Sequence, residues 1–435
     1  MNALILLAEN LQRRRPFGWR WFVGLLDLIR SVPGRIAIAL THRDFRLVWM
    51  GAFTSSVGTW MQKVAQAWLI VTMTGSRSAF FVGLDSFLGE LPLLLFSMLG
   101  GVFADRRDRR HMILMSQSIQ MLVALVLAVL IYTRHIHLAH VLVLSFMVGC
   151  VRAAGGPAYQ SLLPTLVGKE HLPNAIALNS IQFNLAQAIG PVVAGRTLAA
   201  FGIVACFGLN SISFLFVIAA IFALRGVNVP RTATESVVAQ FRDGLRFVQG
   251  SESLVTVLAL AFFAAFLGAP LFTFLPVISK DVFHRDVGLY TQFMTFSGAG
   301  AVMGALIVAW LGKNKQMGQI LLTSVTLFGT IIAGFGLSRR TYLSALILFV
   351  AGSLFVMCSS LTTSLAQLLV PPELRGRVLS IYLVAFLGGS SLGGIASGWL
   401  VTRVGSVPLV LVVNGTALTL VALYFLTHGQ GLRDI

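Results

Sequence analysis

Charge is scarce in this chain of 435 residues: Asp, Glu, Lys and Arg together make 11%, and only 15 residues are acidic, against roughly 25% charged in an average soluble domain. That scarcity excludes an ordinary water-facing globule. Cysteine is scarce as well. Cys150, Cys206 and Cys358 stand alone in apolar stretches, so neither a disulfide framework nor a cysteine metal site is available. The chain lacks a phosphate loop with its lysine, an H-E-x-x-H pair and a nucleophile elbow, and no soluble insert is long enough to house such chemistry. We therefore expect no enzyme, no catalytic residue, no cofactor and no metal. His135, His137 and His140 cluster in a loop, but an H-x-H-x-x-H triplet outside a helix is a weak ligand set. The net charge of +17 sits in short tracts between apolar runs, without a basic domain, so no nucleic-acid partner is expected. A secretory signal is not expected either, because the first apolar stretch is short and runs into Arg13, Arg14 and Arg15.

What is there is hydrophobicity: 57% of residues are apolar. A helix needs about 20 largely apolar residues to cross roughly 30 Å of hydrocarbon, and such runs follow one another almost end to end. Lipid offers the backbone no hydrogen bonds, so spans are helices or closed barrels, and continuous runs without period-two alternation select helices. Six spans are expected near residues 47–71, 79–103, 112–132, 139–163, 174–200 and 203–224. Six more are expected near 254–279, 289–311, 317–337, 341–368, 374–402 and 405–427. The fold class is an all-α membrane protein with twelve transmembrane helices in two six-helix bundles. The expected divisions are an N-terminal tail (1–44), a first bundle (45–224), a linker (225–253), a second bundle (254–427) and a short tail (428–435). Within the first tail, FGWRWFVGLLDLIR suits a helix lying in the interface, or a plain tail.

Loops on the side of the termini carry thirteen Lys and Arg against eight on the other, and the residues before the first span at 47 add eight arginines. Both termini are thus expected in the cytoplasm, although Arg339 and Arg340 argue the other way. The halves repeat. A shift of 203 positions places Ser161, Leu162, Leu166, Val167 and Glu170 on Ser364, Leu365, Leu369, Val370 and Glu373, and Gly190, Gly195 and Gly202 on Gly393, Gly398 and Gly405. Duplicated halves with a site between them suit a rocking-bundle transporter.

Charges inside spans are costly, roughly 2.5 to 3.5 kcal/mol at a helix centre on insertion scales, and so mark function or structural pairing. Four stand out: Lys63, Asp85, Glu90 and Arg152. Lys63 and Asp85 can pair. Glu90 and Arg152 both fall near mid-span, and we expect Glu90 to take up and release the proton under the influence of Arg152, a structural ion pair being the other reading. Asn179 and Asn184 on span five, and Phe263 and Phe266 on span seven, are candidates for the cavity wall; interhelix packing accounts for them equally. Span five also carries Gly190, Pro191 and Gly195, and span eleven Gly393, Gly394 and Gly398. Small residues four apart allow backbone-to-backbone packing, as a gate or as a plain seam.

The loop Gly101-Val102-Phe103-Ala104-Asp105-Arg106-Arg107-Asp108-Arg109-Arg110 resembles the G-x-L-A-D-R-x-G-R-R motif of the major facilitator superfamily, with Asp108 where the motif has glycine. Gly101 permits close helix approach, Asp105 can accept at a helix N-terminus, and Arg106, Arg109 and Arg110 can hold carboxylates or helix C-termini, which would latch one access state. A basic anchor is the alternative. The Gly190-Pro191 segment is similar to the G-P-x-x-G-G core of the antiporter motif, and Arg152 with Gly156 fits part of a span-four motif. The strings FRLVWMGAFTSSVGTWMQKVAQAWLIVTMTGS, GPAYQSLLPTLV, HLPNAIALNSIQFNLAQAIGP and PPELRGRV resemble the transmembrane secretion effector branch of the superfamily over nearly the whole chain after residue 42. The resemblance implies a bacterial inner-membrane exporter of siderophores or other amphipathic molecules, driven by protons, surrounded by lipid and working as a monomer. A multidrug or macrolide pump, a lysophospholipid flippase and a membrane sensor are the competing readings.

Overall fold

The computed structural model describes residues 37–106, 108–224, 237–312 and 316–428, with the side chains at 37, 97–106, 237–241 and 428 outside the description. The candidate interfacial helix at 17–30 also lies outside the described residues. After a 3-10 turn at Ala37–Thr41, the chain forms α1 (Arg43–Thr74), α2 (Ser78–Arg106), α3 (Arg109–Tyr132) and α4 (Leu138–Phe222). A linker helix α5 (Val237–Gln249) precedes α6 (Glu252–Thr273), which continues through Leu275–Val277 into a π-turn at Ile278–Val282. The chain then forms α7 (Val287–Leu311), α8 (Met317–Leu337), α9 (Thr341–Leu368), α10 (Arg375–Val404) and α11 (Val407–His428).

Taken as one rod, the 85 residues of α4 would measure about 130 Å at about 1.5 Å per residue, several times the membrane core. The rod is broken twice. Gly168 (φ 75°) and Gly202 (φ 76°) leave helical geometry in the left-handed half of φ space, which glycine enters without the steric cost of a Cβ. Three crossings result, at 138–167, 169–201 and 203–222. Gly405, the repeat partner of Gly202, also has positive φ (74°) and ends α10 before α11 begins. With α4 counted as three, six crossings precede the linker and six follow it among the described residues, an all-α membrane fold as the sequence predicts.

We call the side holding the start of α1 and the end of α11 the terminal face, and the other the distal face. The buried core is divided unequally between them. One continuous cluster joins Val64, Leu69 and Val71 of α1 and Val82 of α2 to Leu275, Ile278, Tyr290 and Phe293 of the second half. Near the terminal face there are two further clusters. Phe45, Ile113, Leu162 and Ile221 pack within the first half, while Val248, Leu254, Val378 and Tyr382 tie the linker helix to α6 and α10. The halves are thus welded at the distal face and part from each other toward the terminal face.

Candidate functional site

The parting encloses a cavity of about 920 Å³, in the range of small-molecule sites. Most of its polar wall comes from the first half: Ser56, Thr59 and Lys63 on α1, Glu90 on α2, Gln117 and Gln120 on α3, and Arg152, Gln160, Asn179 and Gln182 on α4. The second half contributes α10, from Gly376 and Arg377 to Leu387. These positions run from mid-span to the terminal ends of their helices, so the cavity opens at the terminal face.

At mid-span Arg152 Nη1 lies 3.2 Å from Glu90 Oε1, with side-chain exposures of 37% and 22%. The pair is partly open to the cavity, which weakens its attraction relative to a fully buried site. Lys63 and Asp85, by contrast, are not an ion pair. Asp85 accepts from Gln66 Nε2 at 3.0 and 2.9 Å and from Ser145 Oγ, and it does not line the cavity. Gln66 lies one turn beyond Lys63 and reaches the carboxylate from the same face of α1. Lys63 instead places its ammonium 5.0 Å from the centre of the Trp60 ring.

Of the expected wall residues, Asn179 lines the cavity and accepts from the Tyr159 hydroxyl at 3.3 Å. Asn184, Phe263 and Phe266 do not line it. Asn184 Nδ2 donates to the Ser180 carbonyl of its own helix. Phe266 stacks on Phe262 at 5.6 Å, and Phe263 packs against the main core. The rings are taken up by packing because Gly389 and Gly393 bring α10 onto the backbone of α6. The aromatic side chains at the cavity are Trp60, Tyr159, Phe183 and Phe214, all in the first half.

Gly101 and the side chains of Asp105 and Arg106 lie outside the described side chains. Arg109 Nη1 donates to the Ser161 carbonyl at 3.2 Å, and Arg110 Nη2 to Phe222 at the last turn of α4 at 2.8 Å. Both arginines therefore hold α3 to α4 within the first half. Asp108 needs no glycine-like geometry: with φ −61° and ψ 116° it is the N-cap of α3 and accepts from Arg110 N.

The repeated glycines build repeated contacts. Gly190 faces Trp60 of α1, and its partner Gly393 faces Phe266 of α6, each within its own half. Gly195 and Gly398 cross between halves. A Cβ at Gly195 would lie 2.8 Å from Thr291 Oγ1 on α7, and one at Gly398 would lie 2.8 Å from the Ala79 carbonyl oxygen on α2. Pro191 is buried beside Gly190, and Gly394 faces Gly83 of α2.

The distal seal also uses residues that the sequence reading passed over. Trp68 stacks on Tyr290 at 6.4 Å. Lys280 Nζ donates to the Val71 carbonyl at 2.9 Å, in the last turn of α1, and Ser78, the first residue of α2, donates to Asp281 at 3.4 Å. A cation thus meets a helix C-terminus and an anion a helix N-terminus, as the helix dipoles favour. Ser78 and Asp281 are themselves 203 positions apart, so these repeat partners touch at the pseudo-two-fold axis between the halves. The available signal was the adjacent Lys-Asp pair at the end of span seven, set at the repeat distance from the start of span two.

Comparison with known proteins agrees with this geometry. The family model described as transmembrane secretion effector matches residues 37–433. The staphyloferrin A transporter of Staphylococcus aureus is 23% identical over 345 residues, 77% of this chain and 83% of that protein. The enterobactin exporter EntS of Shigella boydii is 25% identical over 367 residues, covering 84% and 87%. Among solved structures, the nucleoside transporter NupG superposes with TM-score 0.68 at 15% identity, covering 89% of this chain and 99% of that one. An inward-facing bacterial homologue of the lysosomal transporter Spinster gives 0.64 at 15%, covering 89% and 98%. With twelve crossings among the described residues, a cavity between halves and a family match over nearly its whole length, this chain belongs to the transmembrane secretion effector family of major facilitator transporters.

Proposed function

We propose that the protein exports a siderophore-like, amphipathic small molecule across the bacterial inner membrane by alternating access, in antiport with protons. Residues 45–224 and 254–427 act as two rocking bundles joined by the linker 225–253, and the unit works as a monomer with both termini in the cytoplasm. The observation that carries this reading is the large cavity, sealed at the distal face and open at the terminal face, with Glu90 and Arg152 at its middle. A carboxylate that exchanges a guanidinium partner for a proton couples proton binding to the state of the cavity. The names of the siderophore-transporting relatives support the cargo class, and the basic bias of the terminal-side loops supports the orientation.

The test is transport in proteoliposomes with an imposed pH gradient, offering a labelled siderophore, a macrolide dye and a lysophospholipid in parallel. The expected result is gradient-driven movement of the siderophore, with Glu90→Gln moving it at a rate indifferent to the gradient. Unchanged pH dependence in Glu90→Gln removes the proton role from that residue. Movement of the lysolipid alone makes the protein a flippase, and movement of none of the three refutes the antiport.

A further inference from the structure

We propose that Lys63 forms an oxyanion-docking subsite and that the Ser56–Gln182 pair forms a neutral hydrogen-bonding subsite in the same cavity, so that the transported molecule bears a carboxylate or phenolate together with hydrogen-bonding groups. This rests on the cavity being the cargo site. Among the described residues, its ionisable lining groups are Glu90, Arg152, Arg377 and Lys63, apart from the Tyr159 phenol. Glu90 and Arg152 neutralise each other, and Arg377 bridges to Asp243 of the linker helix at 3.3 Å. Lys63 is different. Asp85, the carboxylate the sequence offers Lys63 as a partner, is committed to Gln66 and Ser145. No described carboxylate lies within 4.0 Å of the ammonium, which donates no hydrogen bond to a described residue and has Trp60 as its one contact of this kind. An ammonium has three donors, and here they face the cavity.

A second observation points the same way. Gln182 is only 4% exposed. Its Nε2 donates to Ser56 Oγ at 2.9 Å, while its Oε1 has no partner; Gln117 Oε1, also at the cavity, has none either. Exchanging the oxygen and nitrogen of Gln182 would satisfy Ser56 equally and leave the nitrogen orphaned instead. In both arrangements one buried polar atom is open to a hydrogen-bonding guest, since leaving it unmet is costly.

Ser56, Thr59, Trp60 and Lys63 occupy positions i, i+3, i+4 and i+7 of α1, one stripe down the cavity wall. The stripe is ordered by chemistry, with the Ser56–Gln182 pair toward the open end, the indole in the middle and the ammonium deepest. Seven residues of helix separate the two polar ends by about 10 Å. A molecule that fits has an anionic head, a flat or apolar middle and an amide or hydroxyl about 10 Å away. A permanently cationic drug meets repulsion at Lys63.

The test uses the purified full-length protein in detergent and three matched fluorescent probes: dansylglycine (carboxylate), dansylglycinamide (its neutral amide) and dansylcadaverine (ammonium). Anisotropy titrations are expected to rank them in that order, with the carboxylate at least about tenfold tighter than the amide, as a charge-assisted hydrogen bond implies. Lys63→Gln is expected to erase the carboxylate preference while keeping the affinity for the amide, which also shows that the variant is folded. Lys63→Arg is expected to keep the preference. Equal binding of carboxylate and amide by the natural protein, no measurable carboxylate binding, or a preference that survives Lys63→Gln overturns the proposal. Gradient-driven transport without the anion preference would sink this subsite and leave the export reading standing; the preference without transport would do the reverse.

Discussion

The seal at the distal face makes a quantitative prediction through Gly398. A Cβ at this position would lie 2.8 Å from the Ala79 carbonyl oxygen, 2.9 Å from Phe80 Cα and 3.2 Å from the Ala79 carbonyl carbon. All three obstacles are backbone, so no side-chain rotation relieves the clash and α10 must move off α2. This contact crosses between halves at the distal face, and Gly398→Ala therefore penalises the distal-closed state and spares a distal-open one. Overpacking of this kind costs about 1–3 kcal/mol, which at about 1.4 kcal/mol per tenfold shifts the balance toward distal-open by about fivefold to 150-fold. The reporter is a single cysteine at Ser78, which is 1% exposed, introduced with Cys150, Cys206 and Cys358 replaced by serine. Its rate of reaction with a membrane-impermeant maleimide from the distal side should rise by that factor. Gly195→Ala should shift the rate less, because its obstacle is the movable side chain of Thr291. Gly208→Ala is the control: it has the same gain in helix propensity, and nothing lies within 4 Å of the added methyl. A labelling rate in Gly398→Ala equal to that of Gly208→Ala would refute the idea that this contact belongs to one access state.

The two dipole contacts of the same seal are weaker, about 0.3–1 kcal/mol each. Lys280→Ala and Asp281→Ala should each raise distal labelling at Ser78→Cys by no more than about fivefold. Asp85→Ala removes the acceptor of Gln66 Nε2 and Ser145 Oγ and should destabilise the detergent-solubilised protein by about 1–3 kcal/mol in thermal unfolding, with Asp85→Asn milder because it keeps one acceptor. On the linker, Asp243→Asn should change stability by less than about 1 kcal/mol, since the Asp243 side chain in its pair with Arg377 is 44% exposed. Gly244→Leu should undock the linker helix, because even a Cβ there would lie 3.0 Å from Arg377 Cβ and 3.2 Å from Ile381 Cδ1. Faster proteolysis of the linker would register the undocking.

The crossings were readable because lipid makes hydropathy nearly sufficient: a backbone with no water to bond must be helical wherever the side chains are apolar for long enough. Repetition was readable because glycine is the one residue whose absence of side chain is itself a contact. Gly195 and Gly398, paired by sequence register alone, make equivalent crossings between the halves. The meeting of Glu90 with Arg152 followed from depth, since both fall near mid-span and an unpaired charge there is costly. Depth misled for Lys63 and Asp85, where a neutral amide, Gln66, took the carboxylate. It misled again for Phe263 and Phe266, because hydropathy does not say which way a ring on an apolar helix turns.

By itself, the sequence determined the solvent of the protein, the number of crossings and the two-fold repetition, each a property of local composition or register. Tertiary structure alone decided that the cavity opens at the terminal face and that most of its polar wall belongs to the first half. It also decided that Lys63 sets its ammonium against the Trp60 ring and not against Asp85, and that Lys280 and Asp281 close the distal face against the α1–α2 turn. These depend on the rotation of each helix about its axis and on which half leans on the other. Packing fixes both, and a hydropathy profile, uniform around an apolar helix, contains neither.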